Sequence, residues 1–171
     1  MKKIAVVYKS KRGTTKQYAQ WIAEETGAEL FEADTCNAED LAGFDAVVFG
    51  GWIRGGALQG IEFLKKNMAL FGGAKVLAFA VGLHVDGIDA RQECRELNFR
   101  GALEEVPCYF FPGAYDPANI KGGDKIIMGI MKKLMGDRNP ELKNAITNGG
   151  NFVDRGEIKY IVEALTKDAE E

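Results

Sequence analysis

The stretch IAVVYKSKRGTT, Ile4–Thr15, joins an apolar strand pattern to the beginning of a helix. Its first part, Ile4–Tyr8, is almost continuously apolar, which is typical of a parallel strand covered on both faces. A helical pattern then covers Thr14–Glu25, with Tyr18 and Ile22 predicted to face inward. A strand that passes through a short loop directly into a helix is typical of the first unit of a doubly wound α/β sheet.

The loop between this strand and this helix has the features of a phosphate site. Free backbone N–H groups at a helix N-terminus converge on an anion, and the helix dipole favours negative charge there. The loop matches neither a Walker loop nor Gly-x-Gly-x-x-Gly. Alternatively, the loop does not bind a phosphate and is a glycine turn that caps the helix. The residues predicted to hold a phosphate are Ser10, Lys11, Arg12, Gly13, Thr14 and Thr15.

Four more apolar runs alternate with helical patterns along the chain. This alternation predicts a doubly wound, five-stranded parallel α/β sheet of order 2-1-3-4-5, with right-handed crossovers and helices on both faces. The further strands are predicted at Ala28–Phe31, Ala46–Phe49, Val76–Val81 and Val106–Phe111. The further helical patterns are Asn37–Leu41, Ile61–Phe71, Asp86–Phe99 and a last helix from Asp154, with an apolar stripe at Ile158, Ile161 and Leu165.

An extra helical insertion follows the fifth strand, over about residues 114–152. It contains a predicted helix, Asp124–Met135, that ends at Gly136. This helix either packs against the sheet or, through Ile126–Met135, lies on a membrane surface or an apolar partner such as a quinone. No linker divides the chain, so residues 1–171 are predicted to form one domain. The apolar residues predicted to line one helix face are Ile126, Ile127, Ile130, Met131, Leu134 and Met135.

Two glycine-containing loops follow the third and fourth strands and suit a flat aromatic cofactor. The first has four glycines around Trp52, Ile53 and Arg54, so that its backbone can approach closely while a broad side chain covers a ring. The alternative is a flexible turn with a surface tryptophan. The second loop would face the other side of the ring. It contains His84, and a single histidine in a loop is most often a surface group. The predicted ring contacts are Gly51, Trp52, Ile53, Arg54, Gly55, Gly56, Gly82, Leu83 and His84.

Composition excludes several classes of protein. A net charge of −3 argues against a nucleic-acid surface. The 3 cysteines are widely spaced, which favours reduced thiols in a cytoplasm. The chain lacks both a signal-peptide pattern and an apolar run of the roughly 20 residues that span a bilayer. The sequence has no cluster of His, Cys and carboxylate residues at the spacing of metal ligands, and it has no nucleophile motif. No metal is therefore expected, and the catalytic residues stay unknown.

The loop Ser10-x-x-Gly13-x-Thr15 resembles the phosphate loop of the flavodoxin family, and the resemblance covers nearly the whole chain. A closer resemblance is to flavodoxin-like protoporphyrinogen dehydrogenases that pass electrons to menaquinone. Ile53-Arg54 with Gly56 is similar to their ring loop, and the loop after Gly82 lacks a basic run associated with the bacterial heme enzyme. Further similar segments are Glu62-Phe63, Lys65-Lys66, Gly113-Ala114, Pro117 and Asp124-Lys125 with the Ile/Met-rich helix.

This resemblance implies a flavodoxin-like fold, FMN as cofactor and redox chemistry on the flavin. The first functional hypothesis is an FMN-dependent oxidoreductase with a porphyrinogen or quinone as substrate. The alternative is an electron carrier between protein partners, although such carriers are strongly acidic and here 25 acidic residues nearly balance 22 basic ones. The expected location is the cytoplasm, with peripheral contact at the inner face of the membrane as an added hypothesis. The sequence leaves the oligomeric state open.

Overall fold

The computed structural model describes residues 2–135 and 137–167 of the chain. Strands and helices alternate along these residues, as the apolar pattern predicts. The strands are β1 (Ile4–Tyr8), β2 (Glu29–Glu32), β3 (Ala46–Arg54), β4 (Ala57–Leu58), β5 (Lys75–Gly82), β6 (Cys108–Pro112), β7 (Ala114–Tyr115) and β8 (Gly150–Asn151). The α-helices are α1 (Thr14–Thr26), α2 (Glu62–Asn67), α3 (Ile88–Asn98), α4 (Gly123–Met135), α5 (Pro140–Asn148) and α6 (Lys159–Thr166).

The central sheet is parallel and runs in the order β2-β1-β3-β5-β6. Counting only the parallel strands, this is the predicted order 2-1-3-4-5, and the prediction is confirmed. Tyr8 is paired with Gly50, and Gly50 is paired with Phe79, so the carboxyl ends of β1, β3 and β5 meet at one edge of the sheet. In doubly wound sheets that edge carries the ligand site at the point where the strand order reverses.

Helices cover both faces of the sheet. On one face the core includes Tyr18 and Ile22 of α1 and Ile161 of α6, all fully buried. On the other face Leu64 of α2 packs with Phe99, which follows α3. Every residue of β1 is buried, because side chains on both faces of the strand lie under helices.

Two predicted helices begin or end differently in the structure. The pattern Ile61–Phe71 is divided between α2 and a 3₁₀ turn at Met68–Phe71. Before α6, the Asp154 carboxylate accepts a hydrogen bond from the Gly156 N–H at 2.8 Å and caps the 3₁₀ turn Arg155–Ile158. The predicted apolar stripe is confirmed, because Ile158, Ile161 and Leu165 are all buried.

The segment after the third strand is a hairpin, so the prediction that the strand ends at Phe49 is wrong. β3 continues to Arg54 and pairs antiparallel with β4. The glycines do not break the strand because they allow close packing: a Cβ on Gly50 would lie 2.0 Å from the Phe79 ring, and one on Gly51 would lie 2.3 Å from a backbone oxygen. The turn falls at Gly55 and Gly56, whose φ angles of 57° and 83° favour glycine.

The insertion contains more structure than the apolar pattern indicates. Besides α4 it holds α5 and a small antiparallel pair, β7 with β8. The start of α5 has a recognisable signal, since the Asn139 side chain accepts a hydrogen bond from the Leu142 N–H and Pro140 occupies the first turn. Gly136, predicted to end α4, lies outside the described residues. Among the helices that the structure describes, none combines the length and apolarity needed to cross a bilayer.

Candidate functional site

The loop between β1 and α1 keeps its amide donors available. The Gly13 N–H donates to the Ser10 hydroxyl oxygen at 3.1 Å, and the Gln17 N–H donates to the Gly13 carbonyl at 2.9 Å to open the helix. Within residues 2–135 and 137–167, the backbone N–H groups of Lys11, Arg12 and Thr15 have no hydrogen-bond partner. Three free donors beside a helix N-terminus suit an anion such as a phosphate.

Thr15 adds a side-chain donor to this loop. The residue is only 2% exposed, yet it lines the cavity beside the loop. Its hydroxyl makes no hydrogen bond to any residue that the structure describes. Every fully buried side-chain oxygen among those residues has a hydrogen-bond partner. The Thr15 oxygen has none among the described residues, so it is not fully buried and is reachable from the cavity. A hydroxyl placed in this way can donate to a ligand without giving up a bond within the protein.

The cavity extends from the phosphate loop to the hairpin and to the segment that follows β5. All of the predicted site residues except Gly13 and Gly51 line it. Gly51 lies instead against the Gln59 carbonyl, where it serves the packing of the hairpin. Gly13 has φ 90° and open space around it, and it fixes the turn before α1.

The remaining wall comes from the chain after β6, which the sequence did not assign to the site. Tyr115 lies at this wall, and burial raises the pKa of its hydroxyl while the nearby Arg12 charge opposes the shift. The apolar residues of the Ile/Met-rich helix predict the helix itself. Their spacing does not indicate that the helix covers loops that belong to distant strands. The lining residues from this part of the chain are Gly113, Ala114, Tyr115, Ile120, Asp124, Ile127, Met128 and Met131.

Three cations converge on one carboxylate at the edge of the cavity. Asp124, in the first turn of α4, accepts from Lys11 Nζ at 2.5 Å, from Arg12 Nη2 at 3.3 Å and from Arg54 Nε at 2.6 Å. The hydrogen bond from Lys11 is the main cause that lowers the pKa of the Asp124 carboxyl, and Arg54 adds to it while desolvation opposes it. The carboxylate is therefore ionised and holds the three cations in place.

The hairpin is fixed from behind by a buried asparagine. Asn98, only 4% exposed, accepts from the Leu58 N–H at 2.8 Å and donates to the Gly56 carbonyl at 2.9 Å. On the next loop, the Asn139 amide nitrogen lies 3.1 Å from His84 Nε2, so the start of α5 contacts the cavity wall. In the described part of the chain, no group of His, Cys, Asp and Glu could hold a metal ion.

The sheet order and the anion loop define the class: a doubly wound α/β protein with a phosphate-type site at its switch point. A flavodoxin-domain family model matches residues 5–141, and the chain therefore belongs to the flavodoxin family.

Solved structures with a similar fold are more distant in sequence. A WrbA-like flavodoxin from Agrobacterium tumefaciens is 18% identical, with 74% of this chain and 90% of that chain covered and a TM-score of 0.50. A flavodoxin from the domain Archaea is also 18% identical, with 82% and 99% covered and a TM-score of 0.47. No curated protein matches the chain.

FMN is the cofactor of this family, and the chain therefore binds FMN. The residues present fit the group: the free amides and the reachable Thr15 hydroxyl suit its phosphate, and Lys11 and Arg12 supply positive charge. Trp52 and Leu83 line the apolar part of the cavity, where a ring would lie.

Proposed function

We propose that this protein is an FMN-dependent oxidoreductase that acts on a small, largely apolar molecule of the porphyrinogen or quinone type. The observation that carries the proposal is the position of α4. Its residues Ile127, Met128 and Met131 line the same cavity as the phosphate loop and the hairpin. The cavity is thus covered by apolar side chains contributed by the insertion.

This cover favours an enzyme over a carrier. An electron carrier needs only an exposed edge of its cofactor for contact with a protein partner, and a covering helix hinders that contact. A small apolar substrate, in contrast, gains from an apolar wall beside the ring. Met128 and Met131 suit this role because methionine side chains adapt to irregular apolar shapes. The near balance of 25 acidic and 22 basic residues gives little electrostatic steering toward a basic protein partner.

The outer face of α4 supports the choice of an apolar substrate. Ile126, Ile130 and Leu134 are 66%, 52% and 69% exposed. Lys125, Lys132 and Lys133 are exposed on the same helix. An exposed apolar stripe flanked by lysines suits contact with an anionic membrane surface, where quinones dissolve.

The chemistry divides between cofactor and protein. Bound FMN supplies the uptake and release of electrons. The protein binds its phosphate with amides of the loop and with the Thr15 hydroxyl. The Ser10 oxygen accepts from the Gly13 N–H, which leaves the hydroxyl hydrogen of Ser10 free to donate. Trp52, Leu83 and Met131 exclude water from the apolar part of the cavity.

Turnover with two small molecules tests the proposal. FMN-loaded protein is incubated with excess protoporphyrinogen and a menaquinone analogue, so that electrons and protons lost by one are taken up by the other. We expect many oxidation events per protein molecule. The double variant Met128→Ala/Met131→Ala should raise KM while FMN stays bound, and Ile126→Ala, on the outer face of the same helix, is the matched control. Electron transfer that stops after one equivalent would favour a carrier and contradict the proposal.

A further inference from the structure

The Asp124 carboxylate joins three walls of the cavity. It belongs to α4, Lys11 and Arg12 belong to the phosphate loop, and Arg54 belongs to the hairpin. The Asp124 side chain is 14% exposed, whereas those of Lys11 and Arg54 are 51% and 41% exposed. The carboxylate is therefore the centre of the cluster, and the cations surround it.

The charges of this cluster leave room for a phosphate. The three cations and the one carboxylate have a combined charge of +2. A phosphate monoester carries about −1.5 to −2 at neutral pH. Asp124 therefore gathers the cations without cancelling them, and a dianion beside Lys11 and Arg12 would bring the cluster close to neutrality.

We propose that Asp124 is a positioning residue for FMN, which holds Lys11, Arg12 and Arg54 together and thereby keeps α4 closed over the bound cofactor. Without the carboxylate, three like charges at the cavity edge repel one another. Helix α4 then loses the ion pairs that join it to both the phosphate loop and the hairpin. Because α4 forms one wall of the cavity, we expect the main effect on the dissociation rate of FMN. This inference rests on FMN binding and not on the proposed enzymatic activity.

The test measures FMN dissociation from the loaded protein by dilution into an excess of a flavin-binding trap. We expect Asp124→Asn to release FMN about tenfold faster, the size expected when several partly exposed ion pairs are lost together. Asp124→Glu should restore most of the slow release, because it restores the charge. Asp137→Asn is the matched control, since Asp137 is 92% exposed and its ion pair is with Lys143, at 3.5 Å, away from the cavity lining.

Two further readouts separate positioning from general stability. Added salt should accelerate the release of riboflavin from the wild type and have little effect on its release from Asp124→Asn. Riboflavin has no phosphate for salt to screen, and the ion pairs of Asp124 are screened in the wild type and absent in the variant. Riboflavin, which lacks the phosphate, should also leave Asp124→Asn faster than the wild type. Unchanged release from Asp124→Asn, with or without a lower melting temperature, would overturn the proposal. Slower release would overturn it as well, because it would mean that the carboxylate competes with the phosphate.

Discussion

At the scale of single residues, the site depends on donors that the protein itself leaves unused. Thr15 is almost completely buried, but its hydroxyl has no partner among the described residues. Because the Thr15 oxygen is reachable from the cavity, this hydroxyl is free to donate to a ligand. Asn98, which is also a buried polar residue, is hydrogen-bonded within the protein through both its amide oxygen and its amide nitrogen. Because of this contrast we predict that Thr15 serves a ligand, whereas Asn98 serves the fold.

The double variant Ser10→Ala/Thr15→Ala should bind FMN more weakly by a few kcal/mol, at about 1.5–3 kcal/mol for each hydrogen bond lost to a charged group. Titration of the apoprotein, followed by flavin fluorescence, measures the change. Riboflavin affinity should be unaffected, because it has no phosphate. Thr26→Ala, at the far end of α1, where the hydroxyl donates to the Ile22 carbonyl, is the control. Equal FMN affinity in the double variant and the wild type would contradict the assignment of the loop.

Tyr18 provides a prediction about pH. Its hydroxyl donates to the Pro112 carbonyl at 2.6 Å and accepts from the Asp154 N–H at 3.1 Å. Burial raises its pKa to about 12; the Asp154 N–H opposes this shift, and the charges of Glu157 and Asp154 add to it. The unfolded chain therefore loses this proton first as the pH rises. The contribution of the protonated Tyr18 hydroxyl to the free energy of unfolding is fully present below about pH 10. It is lost between about pH 10 and 12, which lowers that free energy by roughly 2–3 kcal/mol.

Urea unfolding at several pH values between 9 and 12 measures this loss. Tyr18→Phe should be less stable at neutral pH, by about 1 kcal/mol or more, because the Asp154 N–H and the Pro112 carbonyl lose their partner. Its stability should also decline less steeply above pH 10 than that of the wild type. Identical slopes for the two proteins would show that Tyr18 does not titrate as described.

At the scale of elements, α4 has two apolar faces rather than one. The sequence groups Ile126, Ile127 and Ile130 together, but the structure turns Ile127 to the cavity and leaves Ile126 and Ile130 exposed. Met131 likewise faces the cavity, so it contributes to the site and not to an outer surface. A helix that lies over a cavity near the rim needs apolar residues on its inner face only. The outer apolar stripe therefore needs a separate explanation.

Membrane contact is the explanation that we propose, and vesicle binding tests it. The double variant Ile130→Ser/Leu134→Ser should bind vesicles containing anionic lipid several-fold more weakly, because it removes buried apolar area from the interface. Flavin content should remain the same, since neither side chain lines the cavity. The control is Leu70→Ser/Ile88→Ser, at two exposed apolar residues outside α4. A wild-type protein that ignores such vesicles would refute the membrane contact.

At the scale of the whole molecule, cofactor binding and folding are coupled. The cavity is formed by segments distant in sequence, from the loop at Ser10 to Met131 of α4. These segments come together only in the folded chain, so FMN binds the native state and stabilises it. At a hundredfold excess of FMN over its dissociation constant the gain is about 2.7 kcal/mol.

Thermal unfolding with and without added FMN checks this coupling. The unfolding temperature should rise with FMN concentration, and riboflavin should give a smaller rise at the same concentration. The purified protein should also show flavin absorption bands. A colourless preparation whose unfolding temperature does not respond to FMN would contradict cofactor binding by this chain.

The sequence by itself determined the parallel sheet, the strand order and the place of the loop between β1 and α1. These depend on local patterns, since an apolar run such as Ile4–Tyr8 followed by a helix start at Thr14 has few other solutions. The hairpin at the end of β3 was not evident from the sequence, because glycine normally weakens a strand. The packing of Gly50 against the Phe79 ring explains why a glycine lies within this strand.

Only the tertiary structure decided what covers the cavity. Asp124 meets Arg54 across a separation of 70 positions and Lys11 across 113, and no periodicity within one segment encodes contacts of that kind. The same holds for the two faces of α4, because a helix acquires an inside only from the surface against which it packs. Sequence patterns fix what a segment becomes, whereas long-range contacts fix what it covers.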